Sequence, residues 1–179
     1  MVHYSKEHKF DKQAYLISVD HELQWNVKLL KTNRLRSLMI KIIEKSSIDL
    51  IGEEFSREAI NTLPNNVKKT ISQKIANKFN IKHCFCDPDE KTRNIIGYPT
   101  QVKLRNMFGF KSAIEGTEEY NTRKKYEKSF FHIREKYWLE QINNLYVHNI
   151  IFICGFDHLE NFKSILFRNG YITSTETLK

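Results

Sequence analysis

Twice in this chain of 179 residues an apolar run gives way to an aspartate followed by a histidine: Asp20-His21 closes residues 14–20, and Asp157-His158 comes soon after Asn149–Cys154. A third run ends in Gly52-Glu53-Glu54, and a fourth ends in Asp87-Pro88-Asp89. Two histidines and a carboxylate can hold a divalent metal such as Mn or Zn and leave positions open for water and substrate. The set in this chain is His21, Glu53 and His158. Without a metal, the same groups supply a histidine general base and a carboxylate to orient it. A plain structural role competes with both. Asp20 can cap a helix, and Asp157 with Glu160 three residues on has the form of a capping box.

Adjacent carboxylates leave a strand toward opposite sides, so only one of Glu53 and Glu54 can face a given pocket. Gly52 permits close backbone approach and favours Glu53 for that place. The other would meet a cation, Arg57 or Arg134. Asp87 is an additional carboxylate, and Arg93 and Arg134 could grip a phosphate or carboxylate as two-pronged donors. Arg134 and Trp138 stand one helical turn apart, which suits a positioned arginine over an aromatic ring. Alternation sets His83 and Cys84 on opposite strand faces, so zinc binding by that run is not expected. Cys84 and Cys86 read as core, and Cys154 lies within a strand.

These residues need elements to position them. Strands are expected at residues 14–20, 48–53, 81–86 and Asn149–Cys154, with a weak fifth at 171–173. Their nearly continuous apolar character suits a parallel sheet covered on both faces. Helical spacing runs through 23–45, where Val27, Leu30, Leu35 and Leu38 recur, with an interruption near Thr32-Asn33. It returns over 64–79, over 118–145 as one long helix, and over Leu159–Arg168, which ends at Asn169-Gly170. Residues 87–101, with two prolines and a glycine, read as a long functional loop. Strands alternating with helices predict a single α/β domain. It would be a three-layer sandwich with a mostly parallel sheet of about five strands. Ligands of such sheets bind outside the carboxyl ends of the strands, where the ionisable groups above fall.

Hydrophobic residues make up 40% and charged residues 28%, a globular balance that excludes a disordered or collagen-like chain. No apolar run approaches the ~20 residues needed to span a bilayer, so no membrane partner is expected. Residues 1–10 carry Lys6, His8 and Lys9 without an apolar segment, and three cysteines is an odd number. No secretory leader and a cytoplasmic setting are therefore expected. The formal charge of +8 admits nucleic acid as a partner, through the basic run Arg123-Lys124-Lys125-Tyr126-Glu127-Lys128. Neither a P-loop nor a dinucleotide-binding glycine pattern is present.

The segment ICGFDHLENFKSILFRNGY has the form apolar strand, G-x-x-H, helix, Gly-aromatic. It resembles the C-terminal motif of the erythromycin esterase, Tiki, TraB and ChaN-like superfamily. YLISVDH and DLIGEE are similar in layout to that group's first histidine strand and its glutamate strand. The resemblance implies an α/β domain with a His/Glu pocket formed by His21, Glu53 or Glu54, and His158, and a hydrolase, metal-dependent in some members. Here Ser18-Val19-Asp20 precede His21, where members usually carry a glycine.

The expectation is a hydrolase of a small molecule or peptide. Its catalytic groups would come from His21, Glu53, Glu54, Asp87, Arg93, Arg134 and His158. The alternatives are a nucleic-acid-directed protein, as metal nuclease or basic-surface binder, and a non-catalytic interaction module.

Overall fold

The computed structural model describes residues 11–26, 28–64 and 67–178. Residues 1–10 and Val27, which entered the expectations above, lie outside them. Five strands form one all-parallel sheet in the order β3-β2-β4-β1-β5. They are β1 (Lys12–Val19), β2 (Leu50–Glu53), β3 (Lys82–Phe85), β4 (Asn149–Cys154) and β5 (Tyr171–Leu178). β4 matches its expected span, and the first three differ by one or two residues at their ends. β5 is far longer than three residues. It pairs with the whole of β1, from Lys12↔Tyr171 to Val19↔Leu178, and its polar Thr-Ser-Thr-Glu run is tolerated because it is an edge strand, largely exposed.

Alternation along the strands builds two cores. Leu16, Leu50, Phe152 and Cys154 pack with Trp138, Ile142, Phe162 and Leu166 on one side. Ile17, Val19, Ile51, Ile151 and Ile153 pack with Leu35, Met39, Ile71 and Ile75 on the other. The expected three-layer α/β sandwich is what forms, with α7 (Phe131–Asn143) and α8 (Leu159–Arg168) over one face. Over the other lie α1 (Leu30–Lys45) and α3 (Ile71–Phe79). A short α2 (Arg57–Ile60), unexpected from the spacing, follows β2.

Four helical expectations need correction. The segment after β1 begins as a tight 3-10 turn at His21–Gln24, and the α-helix starts only at Leu30. The break thus falls at 25–29, and Thr32 anchors the helix instead, its hydroxyl donating to the Asn26 carbonyl at 2.6 Å. α3 starts at Ile71 rather than at Pro64, because Thr70 caps it by accepting from the Gln73 N–H at 3.1 Å. Residues 87–101 are no loop. They form α4 (Glu90–Ile96), which leads into α5 (Gln101–Phe108). Asp89 and Thr100 cap their starts, and Gly97, at φ 77°, ends the first. The long helix is two, α6 (Glu118–Lys128) and α7, because the Ser129 N–H and hydroxyl both turn back to the Tyr126 carbonyl. Among the described residues, no helix is long and apolar enough to cross a membrane.

Candidate active site

The strand order places the ends of β3, β2, β4 and β1 side by side, and with them Asp87, Glu54, Gly155-His158 and His21. Glu54 is the hub. Its Oε1 accepts from Arg134 Nη1 at 2.8 Å and lies 3.5 Å from His158 Nε2 and 3.7 Å from His21 Nε2. Its Oε2 accepts the Gly155 N–H at 2.6 Å. Burial would raise this carboxyl, but the charge of Arg134 outweighs it, joined by His21 and His158 when those rings are protonated, and holds Glu54 below its ordinary value.

Arg134 reaches the site from α7, lying 5.2 Å over the Trp138 ring as the one-turn spacing suggested. Its Nε donates to Asp87 Oδ1, which also accepts from Trp138 Nε1 at 3.1 Å, while Asp87 Oδ2 accepts from Arg93 at 3.1 Å. Burial opposes charge on Asp87, yet Arg134 and Arg93 depress its pKa, and Asp87 and Glu54 in turn raise that of Arg134. His158 accepts from Arg134 Nη1 at its Nε2 (3.2 Å), so its proton sits on Nδ1 and is donated to Glu135 Oε1 at 2.8 Å. Packed on Phe131 with ring centres 4.0 Å apart, His158 is nearly buried in the wall of the cleft.

His21 is the open histidine. Its side chain is 56% exposed, and its Nδ1 lies 3.0 Å from the Gln24 amide. It is the Gln24 amide nitrogen that faces Nδ1, and Gln24 Oε1 is buried without a partner among the described residues. In the other amide orientation, that oxygen accepts from Nδ1–H and the Nε2 lone pair faces the cleft. Gly155 makes room for this ring, for a Cβ there would stand 2.9 Å from His21 Nε2. Asp20 performs the capping role, accepting from the Glu22 N–H at 3.2 Å. The Asp157 capping box does not form: Asp157 pairs with Lys128 at 2.9 Å, and α8 has no side-chain cap.

Glu53 is not in the cleft. It follows Ile51 onto the α3 side of the sheet, where its Oε1 accepts from Thr70 Oγ1 at 2.6 Å and meets His83 Nε2 at 2.7 Å. The space beside Gly52 is taken by Phe152, 2.8 Å from where a Cβ would lie, and not by any approach of Glu53 to a pocket. The metal set His21, Glu53, His158 therefore does not converge. In the set that does, Arg134 occupies Glu54 Oε1 and His158 Nε2, the lone pairs that a metal would need. Among the described residues no group of three or more His, Cys, Asp or Glu is placed to hold a metal ion. All three cysteines are free thiols; burial raises those of Cys86 and Cys154, and the Cys86 thiol lowers that of Cys84.

The cleft above these groups has a volume of about 710 Å³ and is walled by Tyr98, Tyr120, Phe131 and Phe156. Asp20, Glu54, Glu115, Glu127 and Asp157 line it against Lys124, Lys128 and Arg134, an acidic balance within a basic chain. The sequence pointed to His21, Asp87, Arg93, Arg134 and His158, and to Glu53 ahead of Glu54. It missed Gly155, Glu135 and Tyr98. Glu135, beside Arg134 on the expected helix, was the most accessible of these. Tyr98 was hidden in the stretch read as a loop. No family model matches the chain, and comparison with curated proteins and with solved structures gives no match either.

Proposed function

We propose that this chain is a hydrolase of small carbonyl substrates, esters foremost, with His21 as general base and no metal in the chemical step. The observation that carries the reading is the contrast between the two histidines: His158 is closed into a network with Arg134 and Glu135, while His21 stands open beside an ionised, buried Glu54. In the reaction, His21 Nε2 takes a proton from water as the water oxygen bonds to the carbonyl carbon. The bond to the leaving oxygen then breaks, and that oxygen receives the proton back from the imidazolium. Glu54 stabilises the imidazolium by its fixed charge, and Arg134 keeps Glu54 ionised and in place. The resemblance of the strand-end motifs to the erythromycin esterase, Tiki, TraB and ChaN-like group supports hydrolysis as the reaction. The acidic lining argues against nucleic-acid backbone as the occupant, since phosphates would meet five carboxylates and three cations.

The test is a panel of 4-nitrophenyl esters offered to the wild type and to His21→Ala, with and without chelator. The expected result is turnover that chelator leaves intact and that falls about 10³-fold in the variant. Activity lost to chelator, or equal in the two proteins, would overturn the reading.

A further inference from the structure

Tyr98 is the best-fixed side chain of the cleft to which the reaction above gives no work. It follows Gly97 at the end of α4, its N–H bonding to the Arg93 carbonyl at 2.9 Å. Two guanidinium groups lie against its ring, with Arg93 Cζ at 5.2 Å and Arg134 Cζ at 5.8 Å from the ring centre. Both arginines are tied to the carboxylate of Asp87, so one buried anion holds both cations at the ring. The residue is only 3% exposed. Its hydroxyl nevertheless has no hydrogen-bond partner among the described residues and is not among the sealed polar atoms. A phenol packed against two cations, with an unpartnered and unsealed oxygen on a residue that lines the cleft together with His21, is placed to meet a ligand.

We propose that the Tyr98 hydroxyl is the hydrogen-bond donor to the substrate carbonyl oxygen as that oxygen takes on negative charge. The proposal rests on the hydrolase reading for its reaction. No proton is transferred: as water adds, the C=O electron pair moves onto oxygen, Tyr98 O–H bonds to it, and the pair returns when the leaving group departs. Burial pushes the Tyr98 phenol up to about 12, so it keeps its proton and remains a donor across the working pH range. Donors fixed where charge develops are effective because they need no reorientation during the reaction. Arg93 is then a positioning residue, acting through the Tyr98 ring.

The test compares the wild type with Tyr98→Phe, which keeps the ring against the arginines and removes only the hydroxyl; melting temperatures verify that both are folded. Hydrolysis of 4-nitrophenyl acetate gives kcat and KM. Binding of 4-nitrophenolate, a stable oxyanion followed by its absorption, gives a readout that needs no turnover. The expected result is a fall in kcat of about 10²-fold with KM nearly unchanged, and a Kd for 4-nitrophenolate raised about tenfold. If the wild type hydrolyses the ester and Tyr98→Phe matches it in kcat and Kd, the donor role is overturned and the hydrolase reading stands. If no ester is hydrolysed but 4-nitrophenolate binding still depends on the hydroxyl, Tyr98 is a donor to bound oxyanions, and the hydrolase reading and the donor's part in hydrolysis fall. If neither turnover nor Tyr98-dependent binding is found, both fall.

Discussion

Glu53 and Glu54 are neighbours in the chain, equally buried, and end in different worlds. Glu53 sits in a closed cluster: a hydroxyl from Thr70 and the ring of His83 meet the same carboxylate oxygen, and its other oxygen has no partner among the described residues. Glu54 receives a guanidinium and a backbone N–H and stands beside an exposed histidine at a cleft. The difference comes from one step along the strand. Ile51 and Glu53 point into the α1–α3 layer, and the residue after the strand turns to the α7 layer, where Arg134 waits. A buried carboxylate alone therefore says little about function. What distinguishes Glu54 is that its neutralising cation shares it with a group open to solvent.

The largest break in this contrast should come from Arg134→Met. It strands Glu54 as a buried charge and takes one of its two arginines from Asp87, and urea denaturation should show a loss of about 3–5 kcal/mol. A loss below about 1 kcal/mol would mean that Glu54 finds another partner and that Arg134 does not hold it. On the other side, His83→Ala should cost about 1–3 kcal/mol, because the Glu53 carboxylate loses a buried partner. It should leave ester hydrolysis within about twofold, since structural substitutions away from the reacting groups do not touch the barrier. Gly155→Ala should do the reverse. Its Cβ would stand 2.9 Å from His21 Nε2, and the exposed ring can swing away. Stability should change little, while kcat falls about 10²-fold as the base leaves its place.

The smallest effect is in acid. The pKa values of Glu54 and Asp87 are depressed in the folded chain from ordinary values of 4.5 and 3.8. Their contribution is present above those ordinary values and is lost as pH falls through the depressed ones. Thermal midpoints should thus drop below about pH 4.5, and Glu54→Gln should soften that drop by removing one of the depressed groups. An unchanged slope would show that Glu54 takes no part in acid unfolding.

The strand ends were legible because apolar β-branched runs such as Asn149–Cys154 leave few alternatives, and the acidic and histidine residues fell just beyond them. Their convergence needed the order β3-β2-β4-β1, which brings chain-distant ends together and which local pattern does not encode. Glu53 was favoured over Glu54 because Gly52 suggested an open approach. Alternation separates the two, but only the packed helices show which face holds the cleft. The stretch 87–101 misled because its prolines and glycine look like loop punctuation. Here they bracket short helices, with Asp89 and Thr100 at the caps and Gly97 at the stop, and Tyr98 was hidden between them. Arg134 was recovered through its spacing to Trp138, a local signal that survived the break of the long helix at Ser129.

The most direct test of the central claim is the hydrolysis of 4-nitrophenyl acetate by Glu53→Gln and Glu54→Gln, measured side by side with the wild type. Both substitutions keep the shape of a buried side chain and remove its charge, so the comparison isolates which carboxylate serves the open histidine. The account predicts that Glu54→Gln loses about 10³-fold or more in kcat. Glu53→Gln should keep wild-type turnover at some cost in stability. Equal losses in the two, or a larger loss at Glu53, would contradict the assignment of the cleft to His21, Glu54 and Arg134.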